Sequence, residues 1–316
     1  MTRKRADKPT DVPAGRKAKA TYEDNEQEEG YPYEGFLIES VLKPFYQKRF
    51  EDLQGLSLED VLWRKNPYLF KAKNIEFPWD LVKGIVDAHL SSQEETFFGN
   101  LLEGYAVHIS SRLFGGYKPP TAKGQKWVDL IFTRKGVTYI VEIKSGPNWA
   151  NSSQVGALLN MFVEVRNRLR EQGTEGEIIA VNGCMYGKDR RPLKKHPTDS
   201  QKNYYKLCGQ DFWALISDDD QLYQKIILPL DKEARQKDEQ FKSAYNAKIY
   251  EMTKAFMEKF MKDDQIDWSG LLDFVSKREA AAATAFVGAA QAVPEAATEI
   301  VDPEAAPKDD TPAEQP

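Results

Sequence analysis

Two apolar segments separated by a short polar turn limit the fold of this chain more than any other feature of its sequence. The segments are WVDLIF and VTYIVEIK, and the residues around the turn, Thr133–Gly136, predict a β-hairpin. Apolar residues at helical spacing follow from Ser152 or Ser153 to Gly173, and EIIAVNGCMYG then predicts a third strand. Helices are also predicted before and after this part. The order predicts an α/β domain, in which helices flank a central mixed β-sheet, with added N- and C-terminal helices.

Composition divides the chain into three regions. Residues 1–30 are rich in Lys, Pro and acidic residues, and residues 279–316 are rich in Ala, Pro and acidic residues. Neither region can bury a core, so we expect both to be disordered. Residues 31–278 have a size consistent with one domain. Its expected parts are a helical N-terminal part (31–90), a core (91–230) and C-terminal helices (231–278).

Helix start signals occur at two places in the first half of this domain. Ser57 and Asp60 have the spacing of a helix N-cap. Ser91–Ser92 precede a long helical pattern, and we expect a helix to begin there.

Charge and cysteine content narrow the class of protein. The net charge of −5 comes from residues 279–316, which sum to −7, whereas residues 31–278 carry +2. Gly183–Lys206 alone carries +5, which fits a polyanionic partner, although a solvated basic loop fits as well. The sequence has no membrane-length apolar run, no apolar leader and only two cysteines, so we expect a cytoplasmic protein without a membrane partner. It also lacks a P-loop and a His/Cys cluster with zinc spacing.

Two charged residues interrupt the apolar pattern of the second hairpin strand. Glu142 and Lys144 are two positions apart, so both project from one face of the strand while Ile143 points away. With the turn placed as above, Asp129 on the first strand lies beside Glu142 or Ile143. Two carboxylates held together repel each other unless one is protonated or a cation lies between them. Carboxylate oxygens suit Mg²⁺, and a lysine beside them can orient or deprotonate water and stabilise a phosphate.

This combination is what the hydrolysis of a phosphodiester needs. The spacing of Asp129, Glu142 and Lys144 also occurs by chance, and a hairpin with a surface Asp–Lys pair is the alternative. Because a buried charge without compensation is costly, charges in an otherwise apolar strand favour a site. We therefore expect these three residues to be catalytic.

Polar residues directly after this strand are expected to contact DNA. Helix N-terminal N–H groups bind phosphate, and amide side chains read base edges or contact the DNA backbone. Ordinary helix capping is the alternative for the Asn and Ser residues, although capping needs only one of the four. The expected DNA-binding residues are Asn148, Trp149, Asn151, Ser152, Ser153 and Gln154, and in the basic segment Lys188, Arg190, Arg191, Lys194 and Lys195.

Several phrases of the sequence resemble the type II restriction endonucleases of the PD-(D/E)XK nuclease superfamily. Asp129, Glu142 and Lys144 have the D-x12-E-x-K spacing, with Val128 in place of the proline. The other phrases are RKNPYLFKAKNI, SSQEETFFGNLLE, VEIKSGPNWANSSQ and CGQDFWALIS. The resemblance covers about Pro67 to Ile227.

The resemblance implies a restriction-endonuclease-like core, so residues 31–278 would be a nuclease domain and 91–230 its catalytic core. It implies Mg²⁺-dependent cleavage of both strands of double-stranded DNA by a homodimer, at a short, interrupted and GC-rich palindrome. It also implies a cognate DNA methyltransferase as functional partner, which protects host DNA.

Carried over by residue, the resemblance makes Asp129 and Glu142 metal ligands and Lys144 the catalytic lysine. Glu95, on the preceding helix, matches an acidic position that supports the metal, with the adjacent Glu94 as the alternative. Two other functions stay open: a structure-specific or repair nuclease of the same fold, and a non-catalytic DNA-binding protein.

Overall fold

The structure of the protein is a computed structural model. It describes residues 32–120 and 127–278, apart from the side chains of residues 232–236 and 238. The disorder predicted for residues 1–30 and 279–316 lies outside the described residues and stays a prediction.

Five strands form the main sheet of the fold. They are β1 (Leu130–Arg134), β2 (Val137–Lys144), β3 (Glu177–Cys184), β4 (Leu193–Lys194) and β5 (Tyr204–Cys208). The order across the sheet is β1-β2-β3-β5-β4. The β1/β2 and β4/β5 pairs are antiparallel, while β2/β3 and β3/β5 are parallel. This sheet, flanked by helices, confirms the predicted fold class.

The helices account for most of the remaining described residues. In chain order they are α1 (Glu34–Leu37), a π-helical turn (Ile38–Leu42), α2 (Lys43–Gly55), α3 (Leu58–Trp63), α4 (Pro67–Ala72), α5 (Pro78–Phe114), α6 (Ser152–Glu171), a 3-10 turn (Ser200–Lys202), α7 (Gln210–Ser217), α8 (Leu222–Lys225), α9 (Ile227–Phe260) and α10 (Trp268–Ser276). A short hairpin, β6 (Met261–Lys262) and β7 (Gln265–Ile266), precedes α10. Among the described residues, no helix combines the length and apolar character required to cross a membrane.

The predicted hairpin is confirmed, and its turn fixes the register of the two strands. Lys135 and Gly136 both have positive φ angles, of 51° and 78°, as a two-residue hairpin turn that follows the strand twist requires. The register pairs Leu130 with Val141, so Asp129 reaches the level of Glu142.

The faces of β1 and β2 separate the core around the sheet into two clusters. Val141 and Ile143 pack in one cluster together with residues of α5 and α7, whereas Ile140 packs in the other with α6. Because side chains alternate along a strand, Glu142 and Lys144 share the α6 face with Ile140. The prediction that both charges lie on one face is therefore confirmed.

One start signal is confirmed and the other is wrong. The Asp60 backbone N–H donates to the Ser57 hydroxyl at 3.1 Å, which caps α3. Ser91–Ser92 instead lie inside α5, which begins at Pro78, a residue whose missing N–H costs nothing in a first helical turn. Both serines are exposed on the surface of this helix.

Contacts divide the described chain into two compact units. The first comprises residues up to Arg49 together with Glu95–Glu239, and holds the main sheet. The second comprises Phe50–Glu94 and the residues from Gln240 onward. It has its own core from α3, α5, α9 and α10, in which Leu81, Ile249 and Phe256 are fully buried.

Candidate active site

The structure brings Asp129, Glu142 and Lys144 together at the carboxyl end of β2. The Ile143 backbone N–H donates to Asp129 Oδ2 at 2.8 Å, which holds this carboxylate against the neighbouring strand. Lys144 Nζ donates to Glu142 Oε1 at 2.7 Å. The side chains of Asp129 and Glu142 are only 18% and 15% exposed, so water screens their charges poorly.

The pKa of Glu142 reflects both its burial and the negative charge beside it. Burial, followed by the nearby charge of Asp129, raises the pKa of Glu142 from 4.5 to about 7, although the Lys144 ammonium opposes the shift. A carboxyl group with such a pKa is stabilised in its ionised form by any additional cation that binds beside it.

A third carboxylate and a second ammonium also belong to the site, and the sequence pattern did not indicate either. Glu103 on α5 accepts a hydrogen bond from Lys118 Nζ, which also lies 3.7 Å from Asp129 Oδ1. Burial lowers the pKa of the Lys118 ammonium, but the Glu103 hydrogen bond and the surrounding carboxylates raise it more, so the net shift is upward. Nothing in the sequence marks Glu103 except its place on the face of a helix.

Glu95, the predicted supporting acid, lies two turns before Glu103 on α5, about 12 Å along the helix axis. Its side chain is exposed and does not line the cleft described below. Glu94 precedes it and is half-buried. The role of either residue stays a prediction.

The donor set fits a hard divalent cation. No cluster of three or more His, Cys, Asp or Glu side chains with metal-binding geometry occurs in the described part of the chain. Mg²⁺ does not require one, because it binds through one or two carboxylates and completes its octahedron with water and substrate phosphate. Asp129 and Glu142 supply two such carboxylates, and the pKa of Glu142 is raised first by its burial and then by the charge of Asp129.

A cleft of about 470 Å³ opens beside the carboxyl end of β2. Glu103 and Asn100 of α5 line one side, and Lys144 and the loop after it line another. Gly99 lets α5 approach this loop, since a Cβ at that position would lie 2.4 Å from Ser145 Oγ. Tyr186, which the sequence did not single out, is 65% exposed and also lines the cleft.

The polar residues that follow Lys144 have mixed roles. Asn151 and Gln154 form a reciprocal capping box at the start of α6, with hydrogen bonds of 3.0 Å and 2.9 Å, and Ser153 donates to Asn151 Oδ1. Helix capping therefore explains these three residues, and Ser152 is the first residue of the helix. Asn148 lines the cleft. DNA contacts of all five residues stay predictions.

Trp149 lines the cleft, and its indole N–H is also held by a hydrogen bond to the neighbouring strand. Its indole N–H donates to Asn182 Oδ1 at 3.0 Å, and Asn182 is 1% exposed on the neighbouring strand β3. Lys144 Nζ lies 5.5 Å from the centre of the Trp149 ring. The geometry thus connects Trp149 to Lys144.

The basic segment, Gly183–Lys206, reaches the cleft through Met185 and Tyr186, and its first basic residue is Lys188. Lys188, Arg190, Arg191 and Lys195 are exposed, and within the described residues none of their side chains forms an ion pair with an acidic residue. Lys194 instead lies on β4 and pairs with Asp189 at 2.8 Å. Four of the five predicted basic residues are therefore placed where a polyanion could reach them.

The fold defines the class of this protein: a mixed five-stranded sheet flanked by helices, as in the restriction-endonuclease-like nucleases. The model of the family described as type II restriction endonuclease EcoO109I matches residues 35–238, more than half of the chain. The chain belongs to this family. A comparison with curated proteins gave no match.

Proposed function

We propose that this protein is a Mg²⁺-dependent type II restriction endonuclease that cuts both strands of duplex DNA at a short, interrupted, GC-rich palindrome. Family membership makes it a site-specific DNA nuclease. The observation that carries the chemistry is the convergence of Asp129, Glu142 and Lys144 on one end of β2, beside an open cleft.

In the proposed reaction, the residues of the chain hold the reacting groups. Asp129 and Glu142 would hold Mg²⁺, whose contribution is Lewis-acid stabilisation of the charge that develops on the scissile phosphate. Lys144 orients the attacking water and offsets the negative charge of the phosphate. The water oxygen bonds to phosphorus and gives up one proton. The bond to the 3′ oxygen breaks and that oxygen takes up one proton, which leaves a 5′-phosphate and a 3′-hydroxyl.

The test is digestion of long unmethylated DNA with Mg²⁺ or with EDTA by the wild-type protein, Lys144→Met and Lys225→Met. The control residue Lys225 is also paired with an acid, Asp219, at 2.7 Å, but it does not line the cleft. We expect discrete fragments only with Mg²⁺, from the wild-type protein and Lys225→Met. Lys144→Met should lose at least about 100-fold in rate, the range of one general acid–base group.

Each other outcome selects a different function. A smear would remove site specificity, and cutting only at branched DNA would indicate a structure-specific nuclease. Binding of DNA without cutting at any metal concentration would indicate a non-catalytic DNA-binding protein.

We also propose a homodimer and a cognate DNA methyltransferase as functional partner. A palindrome read by two identical subunits presents one active site to each strand, which supports the dimer. The expected mass in solution is twice the 36.0 kDa of one chain, measurable by light scattering. DNA methylated by the partner enzyme should resist cleavage in the digestion test.

A further inference from the structure

Lys118 lies at the active site although it belongs to the segment before β1. Its neighbour Tyr117 exchanges two backbone hydrogen bonds of 2.9 Å with Ile131 of β1, which fixes the position of the Lys118 backbone. Its ammonium contacts Glu103 and lies 3.7 Å from Asp129. The side chain is 53% exposed, so the end of the stem has room to move while its origin is held.

Lys118 lies among more carboxylates than ammonium groups. Three carboxylates, Asp129, Glu142 and Glu103, surround two ammonium groups at the site. Lys144 is paired with Glu142, and among the described residues Lys118 is the cation that forms an ion pair with Asp129. Without Lys118, Asp129 would keep only its hydrogen bond from the Ile143 N–H among the contacts of the described residues.

We propose that the Lys118 ammonium takes the electrostatic place of the divalent cation in the metal-free protein and leaves Asp129 when the cation binds. This inference relies on the proposed function, because it assumes that Asp129 and Glu142 hold the metal. An ammonium and a divalent cation a few ångströms apart repel each other strongly where screening is weak. Metal binding therefore has to displace Lys118, and this displacement weakens the affinity of the DNA-free protein for metal.

Once displaced, Lys118 still has a partner in Glu103, which lines the cleft. A DNA phosphate that enters the cleft offers Lys118 a second anionic partner. The protein would then hold its metal weakly until substrate is present, and DNA would raise metal affinity by releasing Lys118 from Asp129. Such coupling is reciprocal, so bound metal would raise DNA affinity equally.

The experiment is a Mn²⁺ titration of the full chain without DNA, followed by the electron paramagnetic resonance signal of the free ion into the millimolar range. The variants are Lys118→Met, which keeps the length of the stem, Lys118→Arg, which keeps the charge, and Lys225→Met as the distant control. Asp129→Asn identifies the site. We expect Lys118→Met to bind Mn²⁺ at least about tenfold more tightly than the wild-type protein, while Lys118→Arg and Lys225→Met bind as the wild-type protein does.

Equal or weaker binding by Lys118→Met, at a site that Asp129→Asn abolishes, would overturn the role of Lys118 and leave the proposed function intact. Binding that Asp129→Asn does not change would overturn the proposed metal site, and the inference with it. Thermal unfolding in EDTA shows whether each variant is folded. A loss of Mn²⁺ binding can then be distinguished from a loss of structure.

Discussion

At the scale of single residues, burial and the neighbouring charge of Asp129 set the pKa of Glu142. Folding raises the pKa of this carboxyl from 4.5 to about 7, first because it is buried and then because Asp129 is near. The folded protein therefore holds a proton that the unfolded chain releases. The contribution of Glu142 to stability is complete below pH 4.5 and is lost as the pH rises through about 7.

Because stability falls as Glu142 ionises, we can predict the effect of Glu142→Gln, which removes the buried charge and keeps the shape of the side chain. In EDTA above pH 7, we expect the variant to be more stable than the wild-type protein by roughly 2 kcal/mol, and the difference should shrink towards pH 4.5. Urea unfolding over this pH range measures it. Glu164→Gln, which removes a more exposed carboxylate on α6, is the control. A difference of the same size at every pH would contradict the prediction.

Trp149 presents a choice between two roles, DNA contact and support of Lys144. Its hydrogen bond to the buried Asn182 and the 5.5 Å distance from its ring to Lys144 Nζ favour support. We expect Trp149→Leu to lower kcat by roughly tenfold, from a lost cation–π contact and a less fixed lysine, with little change in the Kd for DNA. Single-turnover cleavage and DNA-binding assays separate the two effects. A large rise in Kd with unchanged kcat would establish DNA contact instead.

At the scale of elements, the close approach of α7 to β3 holds one wall of the site. A Cβ on Gly183 would lie 2.4 Å from two atoms of the Phe212 ring, and this ring is fully buried. The same helix anchors the end of β3 through Trp213 Nε1, which donates to the Met185 carbonyl at 2.9 Å. The residue after Met185 is Tyr186, and both line the cleft.

We therefore expect Gly183→Ala to destabilise the protein by about 1–3 kcal/mol, because the buried ring has no free space into which to move. Gly156→Ala on α6 is the matched control. It has no neighbour within 4 Å of the new Cβ and should stabilise by up to about 1 kcal/mol through helix propensity. Urea denaturation compares the two variants. Equal stabilities of the two variants would mean that α7 can move away from β3 without a loss of stability.

The elements also show which local signals are reliable. The hairpin and α6 follow the sequence pattern because a two-residue turn and a capping box specify them locally. Strands β4 and β5 did not stand out, since YYKLC alternates little and Lys206 interrupts it. β5 exists because its backbone pairs with Val181–Cys184 of β3, a contact between distant parts of the chain.

At the scale of the whole molecule, the distribution of charge matters more than its sum. The chain carries −5, yet exposed basic residues cluster directly after the cleft. Binding to a polyanion through such residues is strongly dependent on salt, because each contacted phosphate releases counterions.

We expect the double substitution Arg190→Gln and Arg191→Gln to weaken DNA binding at every sequence and to reduce the slope of log K against log salt by up to about 2. The control, Lys254→Gln with Lys262→Gln, removes the same charge from exposed positions in the second unit. Fluorescence anisotropy at several salt concentrations measures both. An unchanged slope in the arginine variant would place the DNA elsewhere.

The sequence by itself determined the hairpin, the fold class and the meeting of Asp129, Glu142 and Lys144. The hairpin and the meeting of these side chains follow from short-range rules, because a turn fixes register and register fixes which side chains face each other. The fold class follows from the order of the predicted helices and strands. The tertiary structure alone decided that Glu103 and Lys118 join these carboxylates and that Asn182 holds Trp149. These contacts depend on where α5 lies against the sheet that contains β1 and β3. No local pattern in the chain encodes such distances, because packing is set by the summed contacts of many distant residues.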